Sequence, residues 1–154
     1  YSTQQDWSVP HFEKLLDDNA RLLQIYLKLY KLTKIEKFRE VSIKTINYIL
    51  SNFSDKTNYF YASQDADEEF SNLTLKERLK AKRPFIDKIL YTDFNCYAIN
   101  SFFEASEILK ENKYKEIALK VLDFLIKNLV NKKGVTHYYD NEAHEPYLLK
   151  NQLE

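Results

Sequence analysis

The chain has 154 residues, 44% hydrophobic and 15% aromatic, which is enough for one domain with a real core and too apolar for a disordered segment. Its 23 basic and 23 acidic residues cancel, so no net field recruits nucleic acid or an anionic membrane, and neither is expected as a partner. No apolar run reaches the roughly 18 residues of a membrane-spanning helix, and the single cysteine, Cys96, cannot form an internal disulfide, so a cytoplasmic location is expected.

Glycine occurs once, far below its usual share of about 7%, so turns must lean on Asn, Asp and Lys, which favours helices joined by modest loops. The opening Y-S-T-Q-Q-D lacks a signal-peptide pattern, and so abrupt a start is expected of an excised piece. Val9 precedes Pro10 and is pushed towards extended angles, while Pro10 suits the first turn of a helix. From Glu13 to Leu32 apolar residues cover nearly every face, the pattern of a helix buried on most sides. Thr33-Lys34 breaks that pattern. A second helix, from about Glu36 to Phe53, carries Phe38, Val41, Ile46, Ile49 and Phe53 on one stripe and turns its other side to water.

Ser54 to Asn58 reads as a turn, and Tyr59-Phe60-Tyr61 as a short strand or extended loop. The acidic Q-D-A-D-E-E follows, then K-E-R-L-K-A-K-R, a turn or two of helix ending before Pro84. That basic run is short and has no interleaved aromatics, so it reads as a solvated helical face rather than an anion or RNA patch. Asp93 is expected to cap a third helix running to about Lys110. A fourth, Tyr114 to Leu129, has Ile117, Val121, Leu125 and Leu129 on one stripe. Asn131 to Lys133 turns, Val135 to Tyr139 is again short and aromatic, and Pro146 opens the start of another helix.

The two halves match at one constant offset: Asn19 with Asn95, Tyr26 with Phe102, Phe38 with Tyr114, Val41 with Ile117, Tyr48 with Phe124 and Phe53 with Leu129. The aromatic segment after each hairpin follows with a slip of a residue or two. In each unit the first helix is the more apolar and the second the more amphipathic, like the inner and outer helices of an α/α toroid. The expected fold is therefore all-α: one partial toroid domain spanning residues 1–154, with hairpin one at about 11–53, a connecting segment at 59–90, hairpin two at about 93–130 and a tail at 131–154. The first and third helices should be more buried than the second and fourth.

Three stretches in order, Y-S-T-Q-Q-D-W-S-V-P-H-F-E-K-L-L-D-D-N-A, F-Y-A-S-Q-D-A-D and D-K-I-L-Y-T-D-F-N, resemble the thioredoxin-domain-containing proteins related to spermatogenesis-associated protein. The resemblance covers roughly residues 1–140 and implies an α/α toroid similar to six-hairpin glycosidases and N-acylglucosamine 2-epimerase. The family's thioredoxin-like domain has no counterpart here, and no C-x-x-C is present. Asp17 stands where the family has tyrosine, and Phe94 and Cys96 where it has a tryptophan-glycine pair; Tyr91 looks like a one-residue insertion.

The motifs that carry the resemblance also supply the candidate site residues. His11 and Glu13 precede an inner helix and offer a general acid/base or sugar-binding pair, or else a loop hydrogen bond and a first-turn acid. Adjacent Asp17 and Asp18 diverge by about 100° on a helix, so one faces the toroid cavity; the match to the family favours Asp18, with Asn19 beside it. Asp65 and Asp67 pair two carboxylates as glycosidases and metal sites do, or form an ordinary acidic loop; the run has no glycine for a calcium turn, so no metal is expected. His11, Glu13, Asp18, Asp65 and Asp67 are thus the catalytic candidates. Trp7, Asn19, Tyr61, Asp87 and Lys88 are the substrate-binding ones, with Trp7 and Tyr61 as stacking platforms.

These residues point to a small carbohydrate as ligand, without a cofactor; the alternative is a non-catalytic helical interaction module. A ring fragment leaves inner-helix flanks uncovered, so self-association, or packing of the 133–154 tail over the open edge, is expected.

Overall fold

The computed structural model describes residues 2, 4–8, 11–54, 58–144, 148 and 152, and its four long helices lie where the apolar patterns place them. In chain order they are α1 (Leu16–Thr33), α2 (Glu36–Asn52), α3 (Glu68–Asn72), α4 (Leu75–Arg78), α5 (Thr92–Leu109) and α6 (Asn112–Leu129). The strands are two-residue pairs: β1 (Lys14–Leu15), β2 (Ser63–Gln64), β3 (Ile86–Asp87), β4 (Leu90–Tyr91), β5 (Val130–Asn131), β6 (Gly134–Val135), β7 (Tyr138–Tyr139) and β8 (Ala143–His144). The helix predicted to open at Pro146 lies outside the described residues.

The four long helices make two hairpins side by side, α1 packing on both α2 and α5, and α5 on α6. Arg21 of α1 lies over the ring of Tyr97 of α5, 4.1 Å from its centroid, and Lys28 meets Glu104 at 3.5 Å. Tyr97 and Glu104 are the repeat equivalents of Arg21 and Lys28, so the inner helices run parallel and in register. α5 buries eight residues and α6 five, and α1 likewise buries more than α2, the order expected of inner and outer helices. The core runs through Leu16, Leu23, Leu27, Ile46, Phe53, Phe60, Phe102, Val121 and Leu129.

The repeat extends to the backbone. Each hairpin turn puts a lysine in the left-handed region, Lys34 at φ 59° and Lys110 at φ 62°, doing there what glycine usually does. Each first helix donates its leading N–H to the segment that returns after its second helix: Leu16 to the Ala62 carbonyl, Thr92 to that of His137. Each return also pairs into a three-stranded antiparallel sheet, β1-β2-β3 in one repeat and β4-β7-β8 in the other.

Three expectations need correction. Asp93 does not cap α5: extended Tyr91 precedes the helix, and Asp93 sits in its first turn, buried. α1 starts at Leu16 rather than Glu13, because Lys14 and Leu15 are taken up by pairing with Gln64 and Ser63. α1 is also not covered all round, since Leu22, Ile25 and Leu32 are 47%, 52% and 81% exposed on the side turned away from α2 and α5.

Candidate functional site

Three substrate-binding candidates converge. Tyr61, Asp87 and Lys88 line a cleft of about 410 Å³ together with Tyr59, Ile89, Asp140 and Asn141. The strap 59–61 reaches this place because its middle residue is clamped: Asn95, itself buried, accepts the Phe60 N–H at 2.8 Å and donates to the Phe60 carbonyl at 3.0 Å. Phe60 then points inward against Phe102, centroids 5.2 Å apart, and its two neighbours build the aromatic wall. Tyr59 meets Tyr61 at 5.9 Å and Tyr139 at 6.1 Å edge-on, and Phe124 at 5.0 Å with the rings tilted. Lys88 Nζ lies 5.1 Å from the Tyr61 ring centroid.

The acids of the cleft come from two sheets. Asp87 belongs to β3, and one of its oxygens accepts the Ile89 N–H at 3.0 Å. Asp140 follows β7, and its Oδ1 lies 2.5 Å from His144 Nε2, whose ring stacks on Tyr138 at 4.6 Å. The arrangement offers ring faces, carboxylate acceptors, a cation and the Asn141 amide around one space. That is the chemistry for a ligand with both an apolar face and hydroxyl groups.

The other candidates lie elsewhere. Asp65 and Asp67 line a separate cleft of about 320 Å³ with Ala66, Lys82, Arg83, Pro84 and Phe85, and His11 does not line it. Asp67 accepts the Phe70 N–H at 2.8 Å as the cap of α3. His11 Nε2 is 3.3 Å from Glu13 Oε2. Glu13 directly precedes β1 and Asp65 directly follows β2, so both acids stand at the same end of one antiparallel pair. Asp18 is exposed, while Asp17 is half-buried with its Oδ1 lacking a hydrogen-bond partner among the described residues. Burial raises the Asp17 pKa, and neighbouring Asp18 adds to the effect. Asn19 donates to the Leu15 carbonyl at 2.7 Å and lines a groove with Lys14, Val41, Lys44, Thr45 and Tyr48. Trp7 is 72% exposed and lines none of these clefts.

Sequence reasoning missed Tyr59, Asp140 and Asn141, although a signal for the last two was present. D-A-D at 65–67 recurs as D-N-E at 140–142, within one position of the offset that relates the helices, and each follows the second strand of its sheet. Among the described residues no group of three His, Cys, Asp or Glu side chains could hold a metal ion, and no helix is long and apolar enough to cross a membrane.

No family model matches the chain. Over 67 residues, 44% of its length, it is 37% identical to spermatogenesis-associated protein 20 of Rattus norvegicus and of Homo sapiens. Over 69 residues it is 41% identical to an uncharacterized protein of Caenorhabditis elegans. The chain spans 8% of the length of the rat and human relatives and 9% of the nematode one. The cellobiose 2-epimerase from Spirochaeta thermophila superposes with a TM-score of 0.71 at 13% identity, over 88% of this chain and 32% of the epimerase. A family 76 glycoside hydrolase from a bovine Bacteroides thetaiotaomicron strain gives 0.62 at 18% identity, over 78% of this chain and 24% of the hydrolase. At such identities these likenesses show the fold: two neighbouring hairpins of an α/α toroid.

Proposed function

We propose, from a chain that shares sequence with spermatogenesis-associated protein 20 and its fold with sugar epimerases and glycoside hydrolases, that this is the carbohydrate-binding part of an α/α toroid. The observation that carries the reading is the cleft in which Tyr59 and Tyr61 stand beside Asp87, Lys88, Asp140 and Asn141. A pyranose ring presents axial C–H groups that pack on an aromatic face, and its rim of hydroxyls donates to carboxylates. Clamping of Phe60 by Asn95 fixes the aromatic wall before any ligand arrives, which lowers the ordering cost of binding. His11, Glu13, Asp18, Asp65 and Asp67 lie outside this cleft, so binding rather than bond cleavage is assigned to it.

Calorimetric titration against a panel of neutral monosaccharides and β-linked disaccharides tests the reading. Saturable heat with at least one sugar, lost on Asp140→Ala, is expected. Folded protein that gives no heat across the panel would overturn it, in favour of a non-catalytic interaction module with its exposed Leu22–Ile25–Leu32 stripe as the contact face.

A further inference from the structure

We infer that Asn19 and the groove beside it are a docking site for an extended polypeptide segment carrying an aromatic side chain. The chain uses one clamping device twice. Asn95 grips Phe60 by both main-chain groups, Oδ1 accepting the N–H at 2.8 Å and Nδ2 donating to the carbonyl at 3.0 Å. Gln152 grips Val135 in the same way, Oε1 accepting at 2.9 Å and Nε2 donating at 2.8 Å. Phe60 and Val135 are equivalent positions in the extended returns that follow α2 and α6. Each return is thus held by a carboxamide supplied from later in the chain.

Asn19 is the equivalent of Asn95 and keeps that residue's anchoring bond. Asn95 Nδ2 donates to the Tyr91 carbonyl at 3.0 Å, and Asn19 Nδ2 donates to the matching Leu15 carbonyl at 2.7 Å. The two bonds that Asn95 adds to a strap have no counterpart at Asn19 among the described residues. The groove next to it, about 410 Å³ lined by Lys14, Val41, Lys44, Thr45 and Tyr48, is open. In the second repeat the corresponding ground is filled, Tyr59 packing on Phe124, the equivalent of Tyr48, and Phe60 on Phe102, the equivalent of Tyr26. The flank of α1 agrees: Leu22 and Ile25 are exposed, whereas their equivalents Ala98 and Ser101 are wholly buried.

What the groove accepts follows from where it departs from the filled one. Leu90 and Phe124 of the second repeat correspond to Lys14 and Tyr48 here, so this groove carries a cation where the filled one is apolar, Lys14 Nζ donating to the Phe12 carbonyl at 3.0 Å; Lys44 has a cationic equivalent in Lys120. The occupant is therefore an extended segment with one aromatic anchor, its peptide unit on Asn19, and a carboxylate within reach of Lys14.

The probe is a synthetic peptide, D-Y-F-Y-A-S-Q, which is the chain's own strap from residue 58 to 64 with Asn58→Asp. It is titrated into the isotopically labelled chain while amide resonances are followed. Saturable shifts of the Asn19 side-chain amide, Thr45 and Tyr48 are expected, with Asn19→Ala weakening binding roughly tenfold or more for two lost hydrogen bonds. Asn19→Asp, which keeps the acceptor and loses the donor, should be at least as impaired, because it also adds a negative charge beside the incoming acid. Absence of saturable shifts at millimolar peptide would overturn the inference. So would equal affinity in Asn19→Ala, with circular dichroism confirming that the variant is folded.

Discussion

Asp17 and Asp93 occupy equivalent places in the two repeats, and the charge of Asp93 acts on Asp17 across the α1–α5 seam. Burial is the largest influence on Asp17, followed by the charge of Asp18; the Asp18 N–H, which donates to the Asp17 carboxylate, and Arg21 oppose them, and Asp93 adds a smaller push upward. The fold therefore favours the protonated acid. Below the ordinary value of 3.8 both folded and unfolded chains hold the proton and nothing is lost. As pH rises through the raised value, the folded chain must ionise a carboxyl that the unfolded chain ionises more easily, and stability falls. Asp17→Asn should therefore raise the melting temperature at pH 7 and give no gain in acid below 3.8. Thermal unfolding of both proteins across that range checks it; a variant less stable at pH 7 would mean that Asp17 makes a favourable contact when ionised.

Lys110 holds a left-handed conformation at φ 62° where a Cβ is unfavourable. A non-glycine residue there costs about 1–2 kcal/mol, partly offset by the extra freedom glycine brings to the unfolded chain. Lys110→Gly should thus stabilise the protein by about 0.5–1 kcal/mol, read as a higher denaturant midpoint with an unchanged slope. Loss of stability would show that the Lys110 side chain contributes more than its backbone strain.

Asn95 is fully buried and satisfies both main-chain groups of Phe60. Asn95→Ala leaves those two groups buried and unpaired, each costing about 1–3 kcal/mol. Hydrogen exchange at Phe60 should accelerate by a factor of roughly a hundred or more beyond any global change, because the strap is released locally. Exchange that rises only as much as it does throughout the core would indicate a general loss of packing.

Much of this was legible in the sequence, for identifiable reasons. A helix writes its buried face at a fixed period, so Phe38, Ile46, Ile49 and Phe53 disclosed α2, and Val121, Leu125 and Leu129 disclosed α6. Internal repetition made the constant offset between the halves visible, and with it two hairpins of one toroid. Two-residue strands have no period to read, so the pairing of Lys14 with Gln64 and the later start of α1 were hidden. With a single glycine in the chain, composition already pointed to lysine among the turn residues, and Lys34 and Lys110 take that role in the left-handed region. The candidate cleft was half visible. Tyr61, Asp87 and Lys88 stood out in the matched motifs, whereas Asp140 reaches the cleft through the β7 return, a long-range placement that local pattern does not encode.

A saccharide seated between the aromatic wall and the two acids must touch both walls of the cleft at once. Protein-observed NMR with the tightest-binding neutral sugar of the panel tests this most directly, run on the unmodified chain and on Tyr59→Ala and Asp140→Ala. Saturable shifts centred on Tyr59, Tyr61, Lys88, Asp140 and Asn141 are expected, with affinity reduced at least tenfold in each variant. Shifts that instead centre on the cleft of Asp65, Asp67 and Phe85, or binding indifferent to both substitutions, would contradict it.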